Sequence, residues 1–237
     1  MSTVRIDGIE TRYEVVGDGP PLLMFSPGGF NSSLENWSSM GVYGRLKLLD
    51  RLPSHYTCVL FDRRESGRSG GRLERLTWDH YVTQGMGLLD HLDIGTAHLM
   101  GGCVGCSAVL ACGVARPERV SSMVLFWPAG GAHYRRKQHA RIEQHLAFVA
   151  AEGLGAVVEL ARAGDAGFSE DPRVGPWVTV IRSDDRFAAA YAGTDVVRYD
   201  TLLSGMSRVM FDRDTVPGAE PEDLMVLDVP ALVIPGR

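Results

Sequence analysis

Apolar and polar positions alternate over residues 4–6 and 11–16, the two-residue period of half-buried strands. Asp7-Gly8 between them is hairpin-turn chemistry. After a loop at 17–21 the pattern changes. Residues 22–25, 57–61, 97–100 and 120–127 are short, continuous apolar runs bounded by Gly, Pro or polar residues. Such runs predict strands buried on both faces. Between them the apolar positions recur with a helical period. This predicts helices over 34–52, from Thr77 onward (Tyr81, Met86, Leu88, Leu89, Leu92) and over 104–114. Gly101-Gly102 is expected to break the strand before it, and Arg116-Pro117 to close the helix after it. The strand-helix-strand rhythm predicts an α/β fold, a mostly parallel sheet with helices on both faces. The rhythm stops after Gly131. From 134 to 213 the periodicity is helical, with loops around 165–176, and at 229–236 the chain returns to a buried strand and turn. The expected organisation is a core of residues 1–132 and 226–237, interrupted after the sixth strand by a helical cap of residues 133–225.

Composition narrows the function classes. A chain of 237 residues is long enough for one α/β domain with an inserted lid. The net charge of −5 gives no bulk electrostatic case for nucleic acid or an anionic membrane. No stretch approaches the length of a membrane-spanning helix, and residues 1–16 lack the apolar centre of a signal peptide. Of four cysteines, Cys103, Cys106 and Cys112 lie close together, unlike a secreted disulfide framework, so a reducing cytoplasm is the expected compartment. No second C-x-x-C or histidine pair completes a zinc site. The expected partner is a small molecule with no cofactor or metal, and a homo-oligomer is compatible with the sequence.

The chemistry concentrates at Gly101-Gly102-Cys103-Val104-Gly105. A Gly-x-Cys-x-Gly run between a strand and a helix has the form of a nucleophile elbow with cysteine in the serine position. The turn is sharp, so side chains two places before and after the nucleophile would strike neighbouring elements. The helix that follows aims its free N–H groups at Cys103, which is expected to favour thiolate. The N–H of Val104 would supply half of an oxyanion hole.

These residues resemble the α/β-hydrolase superfamily, in order and over essentially the whole chain. Phe25-Ser26-Pro27-Gly28-Gly29 stands where that superfamily has its His-Gly oxyanion loop, with Ser26 in the histidine position. The resemblance implies that Gly28 or Gly29 completes the oxyanion hole. Asp62-Arg63-Arg64-Glu65-Ser66-Gly67-Arg68-Ser69 is similar to its Asp-x-Arg-Gly-x-Gly-x-Ser loop, with Glu65 in place of the first glycine. Arg116-Pro117-Glu118-Arg119-Val120 is similar to its usual exit from the nucleophile helix. Dienelactone hydrolases and polyester synthases look like this chain at the elbow. The resemblance implies hydrolysis of a small, fairly apolar ester, lactone or related acyl substrate, with Cys103 as nucleophile. It also places an acid after the strand at 229–234 and a histidine after one further strand. All seven histidines precede residue 146, so the chain reads as C-terminally truncated, with acid and histidine expected beyond Arg237.

Other readings stand beside this one. Glu65 either faces the site and orients the thiol or is a solvated loop carboxylate. His133 follows a parallel strand near the mouth of the site, either as a substitute base or as a surface residue at the cap entry. Cys103 and Cys106 form a C-x-x-C at a helix start, which would suit a thiol redox module. A non-catalytic, ligand-binding relative of the fold would also lack the histidine and acid. Phe148, Trp177, Phe187, Tyr191, Met206, Met210 and Phe211 are expected to form the cap's own core, some of them lining an apolar pocket over Cys103.

Overall fold

The computed structural model describes residues 2–236. Seven strands form one sheet: β1 (Ser2–Ile6), β2 (Ile9–Val16), β3 (Pro21–Phe25), β4 (Thr57–Phe61), β5 (Ala97–Gly102), β6 (Val120–Phe126) and β7 (Ala231–Ile234). Their spatial order is β1-β2-β4-β3-β5-β6-β7. The β1–β2 and β2–β4 pairs are antiparallel, and every pair from β4 to β7 is parallel. The hairpin turn is the expected one, with Asp7 and Gly8 both at positive φ (48° and 73°).

The continuous apolar runs follow from burial on both faces. Along β3, Leu23 and Phe25 join one apolar cluster, while Leu22 and Met24 join the other. In β4, Val59 and Phe61 face the first cluster and Cys58 and Leu60 the second. Helices α3 (Trp78–His91) and α4 (Gly105–Ala115) cover the first face. The second face is covered by Trp37 of α1 (Asn36–Ser39) and Tyr43 of α2 (Gly41–Leu46). A helix on either side hides both alternating sets of strand side chains, so neither set needs to be polar.

Three local expectations are corrected. The helix over 34–52 is instead α1, α2 and two short 3₁₀ turns. Met40 is extended between the helices, and Lys47 adopts a left-handed conformation at the end of α2. The segment is anchored by a few large side chains rather than by one continuous helical stripe. Gly101 and Gly102 extend β5 instead of breaking it. Finally, β7 is not buried. It pairs with β6 on one side, and Leu232 and Val233 remain 57% and 54% exposed. A parallel edge strand is hidden only where a helix crosses it, and among the described residues none does.

After β6 the chain is helical. It forms α5 (Gly131–Ala163), α6 (Val178–Ser183), α7 (Asp185–Ala192), α8 (Val196–Met210) and the short α9 (Pro221–Met225) before β7. Gly153 interrupts α5 with φ 80°. Trp177, Tyr191 and Tyr199 are fully buried within this segment. His145 lies among them, with Nδ1 3.0 Å from the Arg173 carbonyl and Nε2 2.7 Å from the Tyr199 hydroxyl. Among the described residues no helix is long and apolar enough to cross a membrane.

Candidate active site

The parallel strands all deliver their C-terminal ends to one edge, where open α/β sheets place ligands. Cys103 sits there, immediately after β5, at φ 53°. A non-glycine side chain in that region is strained, and the local packing holds it there. The Cys103 N–H donates to the Phe126 carbonyl at 3.1 Å, and its own carbonyl accepts from Ala129 and Cys106. The flanking glycines are required by contact. A Cβ on Gly101 would lie 2.5 Å from the Cys106 nitrogen. One on Gly105 would be driven into the backbone carbonyl of Phe25. The tight approach of α4 to the ends of β3 and β5 thus depends on both glycines.

The loop after β3 supplies the opposite wall. Gly28 has φ 126°, and a Cβ there would lie 2.5 Å from Asn36 Nδ2. That amide instead donates to the carbonyls of Pro27 and Asn31, both at 2.7 Å, and clamps the loop. Asp62 braces the same region from β4. It is fully buried and accepts from the Leu34 N–H at 2.8 Å, the Arg68 N–H at 2.7 Å and Arg12 Nη1 at 3.2 Å. In this arrangement the backbone N–H groups of Val104 and Gly28 favour the anionic form of the Cys103 thiol. Of the two expected loop glycines it is Gly28 whose N–H bears on the thiol's pKa. The Gly29 carbonyl accepts from Arg63.

Cys103 opens on a cavity of about 410 Å³. Its floor includes Gly28, Gly29, Arg63 and Val104. Its roof comes from the helical segment, with Tyr134, Gln138 and Arg141 at the i, i+4, i+7 spacing of one α5 face. Phe168, Met210 and Phe211 close it on the apolar side. Of the aromatic and methionine residues expected in the cap, Met210 and Phe211 therefore reach the cavity. Trp177, Tyr191 and Met206 are fully buried in the core.

Several expectations about this site are corrected. The thiol was expected to be acidified by the α4 N-terminus. Burial instead raises the Cys103 pKa above its ordinary value, and the Val104 and Gly28 N–H groups and the Arg63 charge offset this only in part. Glu65 neither lines the cavity nor meets solvent. Its carboxylate is buried, lies 3.1 Å from Arg64 Nε and accepts from the Arg72 N–H, with burial pushing its pKa up to about 7. His133 is exposed and is not among the cavity residues. Among the described residues no histidine lines the cavity. Cys106 is fully buried, with its sulfur directed at the Gly101 carbonyl at 3.1 Å, and all four cysteines are free thiols. Among the described residues no group of three or more His, Cys, Asp or Glu is placed to hold a metal.

Arg63 is the site residue that the sequence reading passed over. Its signal was present: it follows the buried end of β4, where side chains of a parallel sheet meet ligands. Tyr134, Gln138 and Arg141 were legible only as a helical face.

Comparison with known proteins shows the family of this fold. A family model described as alpha/beta hydrolase fold matches residues 21–142. Two curated relatives are each a dihydrolipoyllysine-residue acetyltransferase component of an acetoin cleaving system. The Cupriavidus necator protein is 32% identical over 125 residues, which cover 53% of this chain and 31% of the relative. The Pseudomonas putida protein is 33% identical over 123 residues, covering 50% and 30%. The chain thus spans about a third of the length of the curated relatives it matches. Among solved structures, a hydrolase from Pseudomonas aeruginosa PA01 aligns with a TM-score of 0.62 and 22% identity, covering 99% of this chain and 79% of that one. The enol-lactonase from Burkholderia xenovorans LB400 aligns with 0.60 and 21%, covering 99% and 81%. At these identities the likeness is one of fold.

Proposed function

The chain belongs to the alpha/beta hydrolase fold family, and from that premise we propose that it hydrolyses a small ester, lactone or related acyl substrate through Cys103. The observation that carries this reading is the position of Cys103. It is held at φ 53° on a strand-to-helix turn, with the Val104 and Gly28 N–H groups favouring its anionic form and a cavity in front of it.

In the proposed reaction the Cys103 thiol gives its proton to solvent and its sulfur attacks the substrate carbonyl carbon. The carbonyl π pair moves onto oxygen, and the N–H groups of Val104 and Gly28 hold that oxyanion. Collapse expels the alcohol, which leaves with a proton from solvent, and an acyl thioester remains on Cys103. Water adds to the thioester and releases the acid and the thiol. Residues 133–225 act as the cap, and Phe168, Met210 and Phe211 provide the apolar side of the acyl pocket. The free cysteines suit a reducing compartment.

An activated aryl ester tests the proposal. Intact-protein mass spectrometry should find an acyl adduct that maps to Cys103, and Cys103→Ala should abolish both adduct and turnover while keeping its circular dichroism. An adduct on another residue, or turnover retained in Cys103→Ala, refutes the nucleophile. Saturable ester binding without any adduct would instead support the ligand-binding reading.

A further inference from the structure

We propose that Arg63 forms an anion subsite in the cavity, so that the substrate carries a carboxylate a few bonds from its reacting carbonyl. The site and the carbonyl are those of the acyl-transfer reading; the subsite rests on Arg63 itself.

Among the described residues three arginines are buried in the core, and two of them have carboxylates. Arg12 pairs with Asp62, Glu35 and Glu14. Arg64 pairs with Glu65, Glu74 and Asp7. Arg63 is equally buried, at 3% exposure, yet among the described residues it makes no ion pair. Its Nη2 donates to the Gly29 carbonyl. Its guanidinium lies over the Tyr81 ring, 4.5 Å from the centroid, with the Tyr81 hydroxyl as a further polar neighbour. Its Nε and Nη1 are buried without a hydrogen-bond partner.

Leaving a desolvated cation without a counterion is among the more costly arrangements in a protein interior. Arg63 is also a wall of the cavity above Cys103, so a ligand can provide the missing charge. The groups around it favour an anion. Tyr134 lines the same cavity within electrostatic range of Arg63 and Cys103, and the α4 N-terminus points to the same place. Cys103 lies near the same charge, but burial raises its thiol pKa above the ordinary value, which disfavours a standing thiolate counterion. Arg141 adds a second cation, with its Nη2 2.9 Å from the Ser169 carbonyl. Asp165 and Glu170 also line the cavity, but both are exposed at its rim, where solvent screens them. The guanidinium fork matches a carboxylate better than a point anion.

The test compares mono(4-nitrophenyl) adipate with its methyl ester on the wild-type protein. A charge-assisted contact of ordinary strength predicts kcat/KM roughly tenfold or more higher for the free acid. In Arg63→Met that ratio should fall toward one, and in Arg63→Lys it should be partly kept. Independently of turnover, adipate but not adipamide should raise the melting temperature of the wild type, and not of Arg63→Met. Equal kcat/KM for the two esters overturns the subsite and leaves the acyl-transfer reading standing. No turnover of either ester, with adipate still stabilising through Arg63, does the reverse. A carboxylate preference that survives in folded Arg63→Met also overturns the assignment. If Arg63→Met does not fold, the wild-type ester pair decides.

Discussion

Adding one methyl group to Gly105 should damage the protein in a way that the same change at Gly155 does not. Gly105 begins α4, and its missing Cβ is what lets the helix approach the end of β3. A Cβ built there falls inside the van der Waals radius of the Phe25 carbonyl oxygen, 2.9 Å from the Phe25 carbonyl carbon and 3.1 Å from the Ser26 oxygen. All three atoms are backbone, so no side chain can swing away. Either β3 or the start of α4 must shift by a good part of an ångström. Overpacking of this kind costs roughly 1–3 kcal/mol, and the rigidity of both partners places Gly105→Ala at the upper end. At about 2–4 °C per kcal/mol for a chain of this size, the melting temperature should fall by roughly 5–10 °C. The same shift moves the Val104 N–H away from the Gly28 N–H. A misplacement on that scale is worth about 100-fold in rate. Gly155 lies within α5 with nothing within 4 Å of its built Cβ. There the alanine gains helix propensity, and stability should rise by up to about 1 kcal/mol. Paired thermal and urea denaturation, with the rate of Cys103 acylation, measures both. Gly105→Ala within 0.5 kcal/mol of wild type, acylating at the wild-type rate, would refute the close-approach argument.

Three further outcomes follow from buried polar groups. Alkylation of Cys103 by iodoacetamide should keep accelerating as pH rises past the ordinary thiol range, because burial raises its pKa; a plateau reached below pH 7 would contradict this. His145 is buried with its pKa pushed down to about 4, so it stays neutral in the fold while the unfolded chain protonates near 6.5. Its stabilising contribution is therefore complete above pH 6.5 and is lost as pH falls toward 4, by roughly 3 kcal/mol, and urea midpoints across that window in wild type and a folded His145→Gln should differ in slope. Asp62→Ala should lose about 2–4 kcal/mol, since it removes the acceptor of the Leu34 and Arg68 backbone N–H groups and one of the three carboxylates around Arg12; an unchanged urea midpoint would show that the two loops hold without it.

The turn at Cys103 was legible because its demands are local. A residue at positive φ between a strand and a closely packed helix needs small neighbours two residues either way, and Gly101 and Gly105 mark it in the chain. The strands were legible because Leu22–Leu23–Met24–Phe25 has no polar position to spare for solvent. Long-range facts were not. Glu65 is an unremarkable loop carboxylate in the sequence, and only the packing of Arg64 and Arg72 against it buries it. The raised pKa of Cys103 is of the same kind. The helix N-terminus that should lower it can be read one residue at a time, but the burial that outweighs it is a property of the assembled loops.

Sequence alone thus determined the alternation of buried strands and helices, the long helical segment after β6 and the turn that presents Cys103, because each follows from periodicity or from a steric rule spanning a few residues. Tertiary structure decided which N–H groups bear on the thiol's pKa, which face of α5 roofs the cavity and which of the three buried arginines among the described residues is left without a carboxylate. Those depend on loops from β3, β4 and β5 converging at one sheet edge, from positions as far apart as Gly28, Arg63, Cys103 and Tyr134. No periodicity encodes such distances; the parallel order of the strands does.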